Sequence, residues 1–299
     1  MLHGKDRQRT LFIVCFLALP VLLYGILYIW PFVYAFVISL YKWSGFSIKD
    51  MSFCGLENYV KAFNDPIVWE ALKHNLYFLL FCTIVTLFLS LLFAVSFTRL
   101  RLKYSGFFRI IYFFPNTLSI IVVSVLWMFI YNPQFGLLKG VLHTLGLDGW
   151  VVNWLGDKRY VMGALIAPQA WMYIGFYMVL FIGAIHNIPE DYYESAMLDG
   201  ASQLKQFTSI TVPLIWGTVR IALIHLVTNA FEKTYSIVRL VTDGGPSHAS
   251  EVMTTYLYNQ AFKYNQFGYG STIGVLLFFT VAVISLGVYR ITRRDTVEF

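Results

Sequence analysis

Charge is what this chain has least of. Only 13% of its 299 residues are charged, against 58% that are hydrophobic. Soluble domains carry about a quarter charged residues, so a water-soluble globular fold is excluded and a bilayer is the expected environment. Cysteine is scarce as well. Cys15, Cys54 and Cys82 show no C-x-x-C spacing, which argues against a disulfide framework or a thiolate metal site. No G-x-x-x-x-G-K-[ST] phosphate loop occurs, so the chain lacks the usual means of binding ATP. Its first hydrophobic run is too long for a signal peptide and has no small-residue cleavage site, so it is expected to stay.

What is abundant is long apolar sequence. Crossing a hydrocarbon core as a helix takes about 20 apolar residues. Six runs meet this length: Leu11 to Tyr41, Leu76 to Phe97, Ile110 to Tyr131, Val161 to Ile185, Val212 to Phe231, and Thr272 to Tyr289. Pro20, Pro31, Pro115 and Pro168 fall in or at the ends of runs, where neighbouring helices can satisfy the freed backbone groups. The expected fold is therefore an all-α polytopic membrane protein with six transmembrane helices.

Short basic segments orient such a chain. Lys5, Arg7 and Arg9 precede the first run; Arg99, Arg101, Lys103 and Arg109 follow the second; Arg290, Arg293 and Arg294 follow the sixth. The positive-inside rule puts these segments, and both termini, in the cytoplasm. Residues 1–10 and 291–299 are then cytoplasmic tails around a six-span region, 11–290. The loop 188–213 between runs four and five is also cytoplasmic by parity.

That loop is polar and helix-compatible. Pro189 suits a first helical turn, and Glu190, Asp191 and Glu194 sit near the positive end of the helix dipole. Tyr192, Ala196 and Asp199 follow at helical spacing. Gly200 breaks the helix and permits close backbone contact, and a second amphipathic piece with Leu204, Phe207 and Ile210 runs to Pro213. On pattern alone, an amphipathic helix lying on the membrane surface competes with a docking role.

Two polar stripes fall inside runs. His225, Asn229, Glu232 and Ser236 share one helical face of run five, flanked by Arg220 and Lys233. Polar residues within spans usually face a cavity or a partner, so this stripe is expected on a translocation path, although Glu232 could instead mark the outer end of the span. In run four, Gln169, Tyr173 and Tyr177 share a face, with Trp171 and Phe176 beside them. Aromatic rings with a few amides and hydroxyls suit a sugar, though such stripes are also ordinary packing.

The spacing Glu194, Ser195, Ala196, three residues, Gly200, nine residues, Ile210, Thr211, Val212, Pro213 resembles the EAA loop of binding-protein-dependent ABC importer permeases. Ser195 and Val212 are mild departures. "YNPQFG" (131–136), "IPEDYYESAMLDGA" (188–201), "LVTDGGP" (240–246), "YLYNQAF" (256–262) and "FGYGSTIG" (267–274) resemble, in order, permeases of the maltose and oligosaccharide type. The resemblance implies a type I ABC importer permease whose loop is a cytoplasmic coupling helix, with Glu194, Ala196, Asp199 and Gly200 meeting the ATPase. It further implies substrate contacts at Asn116, Tyr173 and Phe176, to which the stripes add Tyr177, Asn229 and Glu232.

The implied assembly holds a second homologous permease, two copies of a cytoplasmic ABC ATPase that uses ATP and Mg²⁺, and an extracytoplasmic solute-binding protein. This chain would bind no cofactor and no metal, would contact membrane lipid and a carbohydrate but no nucleic acid, and would catalyse no reaction itself. The implied location is the bacterial inner membrane. Two other classes compete: a secondary transporter or channel for a small polar solute, and a membrane acyltransferase, suggested by His143 and Asp148 in an H-x-x-x-x-D spacing.

Overall fold

The computed structural model describes residues 2–99 and 104–293, residues 2–8 by their backbone alone. Of the basic residues that orient the chain, the side chains of Lys5, Arg7, Arg101, Lys103 and Arg294 therefore lie outside the described residues. The described chain is helical apart from loops and one short two-stranded ribbon. Four helices are long and apolar enough to cross a membrane uninterrupted: Arg9–Ser39, Pro66–Arg99, Val161–His186 and Phe267–Thr292. Two bent pairs bring the number to at most six.

One bend corrects the expected straight span from Ile110 to Tyr131. The run is split into α5 (Ser105–Thr117) and α6 (Ile120–Ile130), which meet at 103°. The cause is local: Leu118 and Ser119 are extended, and the Ser119 hydroxyl accepts a hydrogen bond from the Ile121 amide, starting a new helix. Run five is displaced in the same way. Its helix, α12, spans Trp216–Val241 rather than beginning at Val212, and bends by 73° from the preceding piece at Ile215.

The chain forms two compact units. The first holds residues up to Asp65 together with Leu257–Leu277. In it, α1 (Leu2–Tyr24) continues through a π turn into α2 (Trp30–Ile38), with apolar side chains such as Phe12, Leu22 and Trp30 exposed. Beyond them, β1 (Tyr41–Lys42) pairs antiparallel with β2 (Ser52–Phe53), and α3 (Glu57–Asn64) follows. Asn58 donates to the carbonyls of Ser39 and Tyr41, and Thr272 donates to the same Ser39 carbonyl. The "FGYGSTIG" segment thereby closes onto the end of α2.

The second unit runs from Pro66 to Tyr256 and resumes at Phe278. Its centre is the pairing of α4 (Pro66–Arg99) with α8 (Val161–His186). Cys82, Thr86, Ser90 and Ala94 recur every four residues along α4 and are all buried. Such a small-residue face lets two membrane helices approach closely, and the Ser90 hydroxyl donates across to the Ile174 carbonyl at 2.9 Å. From the other side α5 crosses α8 at Gly175, where a Cβ would stand 1.9 Å from the Tyr112 carbonyl oxygen. Only glycine fits there.

Candidate functional site

The expected stripe residues of α8 and α12 come together, most of them in one cluster. Tyr177 is fully buried and its hydroxyl lies 2.8 Å from His225 Nδ1. One turn along α12, the Asn229 amide nitrogen lies 3.2 Å from both His225 ring nitrogens. Phe176 packs its ring 5.9 Å from the same imidazole. Tyr173 is half-buried beside them in the same apolar core. One turn back, Gln169 is buried, and its Oε1 has no hydrogen-bond partner among the described residues. A buried polar atom left unpaired is costly and marks a place where water or a polar solute can be received.

Two candidates stand apart from this cluster. Glu232 is exposed and pairs with its neighbour Lys233 at 2.8 Å, an arrangement that fits the outer-end alternative better than a solute contact. Asn116, half-buried at the end of α5, forms no hydrogen bond to the cluster residues. His225 carries more of the geometry than its place in the stripe suggested, because both Tyr177 and Asn229 converge on it.

The motif loop is equally well defined. After α8, helix α9 (Glu190–Leu198) ends in a Schellman motif: the Ala201 amide donates to the Ala196 carbonyl at 2.9 Å and the Gly200 amide to the Met197 carbonyl at 3.0 Å. Gly200 sits at φ +75°, the left-handed conformation this closure requires. Among the described residues nothing lies within 4 Å of where its Cβ would be. The glycine is thus required by the turn, in keeping with its expected role of ending the helix. The Ser202 hydroxyl then caps α10 (Gln203–Gln206) by accepting from the Lys205 amide, and a π turn leads into α11 (Val212–Leu214).

Tyr193 fixes this loop, and sequence reasoning passed over it in favour of Tyr192. Its ring is 1% exposed, its hydroxyl lies 2.9 Å from Thr211 Oγ1, and the Arg99 guanidinium stacks 3.6 Å from its centroid. Arg99 also binds Glu190 at 2.9 Å, tying the end of α4 to the start of α9. A doubled tyrosine at the head of an amphipathic helix was the only signal: one ring must face inward. Glu194, Asp199 and Gly200 are exposed, Ala196 is half-buried, and Leu198 is 90% exposed at the tip beside the exposed Met197. These two regions share one core. Tyr177 and Tyr193 belong to a single packed cluster with Phe97, Phe181, Ile185, Ile215 and Leu226.

His143 and Asp148 do pair, at 2.7 Å, but both are exposed, and no residue of α7 (Leu137–Thr144) is buried. A helical membrane fold, a motif loop pinned on a packed core, and a polar and aromatic cluster within two long helices define a solute permease. The chain belongs to the family described as binding-protein-dependent transport system inner membrane component, whose model matches residues 86–296. It is 38% identical over 250 residues to the probable ABC transporter permease protein YurN of Bacillus subtilis, covering 83% of this chain and 85% of that one. It is 35% identical over 305 residues to the diacetylchitobiose uptake system permease protein NgcF of Streptomyces coelicolor, covering 97% and 86%. Its fold matches a crystal structure of a bacterial ABC transporter involved in the import of the acidic polysaccharide alginate, with TM-score 0.84 and 22% identity over 99% of this chain and 100% of that one.

Proposed function

We propose that this chain is the permease subunit of an ATP-driven importer for a sugar or oligosaccharide. The observation that carries the reading is the shared core. Tyr177, hydrogen-bonded within the polar cluster, and Tyr193, which pins the motif loop, pack in one continuous set of side chains. Movement imposed on the loop from outside reaches the cluster through contacts that already exist, as coupling between two sites requires. The saccharide class is supported by the aromatic and amide character of the cluster, by its orphaned Gln169 oxygen, and by the uptake named for relatives such as NgcF.

In this reading residues 1–10 and 291–299 are cytoplasmic, 11–290 carry the spans, and the loop 188–213 docks in the ATPase. Glu194, Ala196, Asp199 and Gly200 form the coupling surface, and Tyr173, Phe176, Tyr177 and Asn229 line the path, with Asn116 at its edge. The motor is a pair of ABC ATPase subunits using ATP and Mg²⁺, and a second, similar permease and an extracytoplasmic binding protein complete the assembly. The exposed Leu198 tip is an apolar anchor for the ATPase cleft. Co-purification with the ATPase tests this. Leu198→Asp should lose the ATPase while leaving the chain inserted, because that residue is 90% exposed; normal docking and normal uptake by the variant would sink the coupling assignment.

A further inference from the structure

A polar cavity of about 370 Å³ opens in the second unit, lined by Glu70, Lys73 and His74 of α4, Lys158 of the loop before α8, and Ser247 and Ala249 of the loop after α12. It is separate from the polar cluster in the spans. Neither lysine forms an ion pair or hydrogen bond among the described residues, and neither does Glu70. The nearby carboxylates are already committed. Asp157 is held by Arg159 through three hydrogen bonds, which keep its carboxyl depressed to about 2. Glu251 is held by His248 at 3.0 Å. Two cations thus face one cavity whose lining holds a single carboxylate, Glu70, which leaves one positive charge in excess.

The wall that completes this cavity is costly to build. Asp243, Ser247 and His248 all adopt positive φ, at 49°, 47° and 63°. Non-glycine residues are strained in that region, and such strain gathers at functional positions. The carboxylate of Glu251 is 3% exposed and one of its oxygens has no partner among the described residues. Cross-links hold the loop in shape: Ser250 Oγ donates to the Gly245 carbonyl at 2.6 Å, His74 Nδ1 meets the Glu251 carbonyl at 2.8 Å, and the Met253 amide donates to Asn75 Oδ1 at 2.9 Å. A rigid, strained loop beside unpaired cations is a surface prepared before its partner arrives.

We propose that this cavity is a carboxylate socket that receives an Asp or Glu side chain of the extracytoplasmic binding protein, an inference that rests on the importer reading above. The charge selects an acidic group. The lining holds no Phe, Tyr or Trp ring among the described residues, so it lacks the broad apolar face on which a sugar stacks, and it shares no residue with the span cluster.

The test uses the assembled transporter in nanodiscs, with ATP hydrolysis followed against the concentration of its binding protein at low and high salt. Lys73→Gln/Lys158→Gln should raise the half-saturating concentration about tenfold at low salt, reach the wild-type rate at saturation, and flatten the salt dependence. Lys73→Arg/Lys158→Arg should retain wild-type affinity. An unchanged half-saturating concentration and salt slope in the double Gln variant would overturn the socket while leaving the importer reading intact. Wild-type transporter that no binding protein stimulates would overturn both. Block of wild-type uptake by free glucuronate, relieved in the Gln variant, would assign the cations to solute and overturn the proposal.

Discussion

Removing one hydroxyl from Tyr193 should loosen the motif loop without emptying the core beneath it. Tyr193→Phe keeps the ring, its burial and the Arg99 guanidinium 3.6 Å above it, and deletes only the hydrogen bond to Thr211 Oγ1. Thr211 is 1% exposed, so its hydroxyl is left buried without that partner. Stranding a buried polar group costs about 1–3 kcal/mol, whereas removing both partners costs much less than the sum. Tyr193→Phe and Thr211→Val should each raise the open population of residues 190–214 roughly tenfold, the equivalent of about 1.4 kcal/mol. The double variant should recover at least half of that sum. Hydrogen exchange of the loop amides in the assembled transporter measures the opening, and the ratio of ATP hydrolysed to sugar imported measures its consequence, which should rise in both single variants. Strictly additive opening energies would refute the reasoning, because they would mean that the two hydroxyls do not act as a pair.

Three further outcomes follow from the same geometry. Gly200→Leu should strain the left-handed closure of α9 by about 1–2 kcal/mol and weaken ATPase co-purification, while Gly200→Asn, which tolerates that conformation, should retain most of it. Asn229→Leu should lower uptake severalfold or change sugar selectivity with assembly intact, and Glu232→Leu should do much less because Glu232 is exposed and paired with Lys233; equal effects in transport kinetics would contradict the placement. Gly175→Ala forces a Cβ against the Tyr112 carbonyl and should destabilise the detergent-purified chain by about 1–3 kcal/mol, read from its thermal unfolding.

Much of this was legible in the sequence, because bilayer length and helical spacing are strong constraints. Run four, expected from Val161 to Ile185, is a helix from Val161 to His186. The two stripes were each visible at helical spacing, whereas the contact that joins Tyr177 of one to His225 of the other is shown by the structure. What escaped were features that hydropathy does not encode. The apolar run through Ile110 to Tyr131 is uniform in character, yet one serine hydroxyl at position 119 splits it. Choosing Tyr193 over Tyr192 depends on a core assembled from α4, α8 and α12, residues distant along the chain. The unpaired lysines, Lys73 and Lys158, are 85 residues apart in the sequence, so no local pattern could have joined them.

In the proposed function, ATP hydrolysis by a partner, transmitted through the loop 188–213, drives a saccharide past the cluster around His225. Uptake of a radiolabelled oligosaccharide into proteoliposomes, compared with and without the ATPase, internal ATP and the binding protein, tests it most directly. Uptake is expected only when all three are present together with both permeases. Uptake by this chain alone, driven by an ion gradient or by the sugar gradient itself, would contradict it.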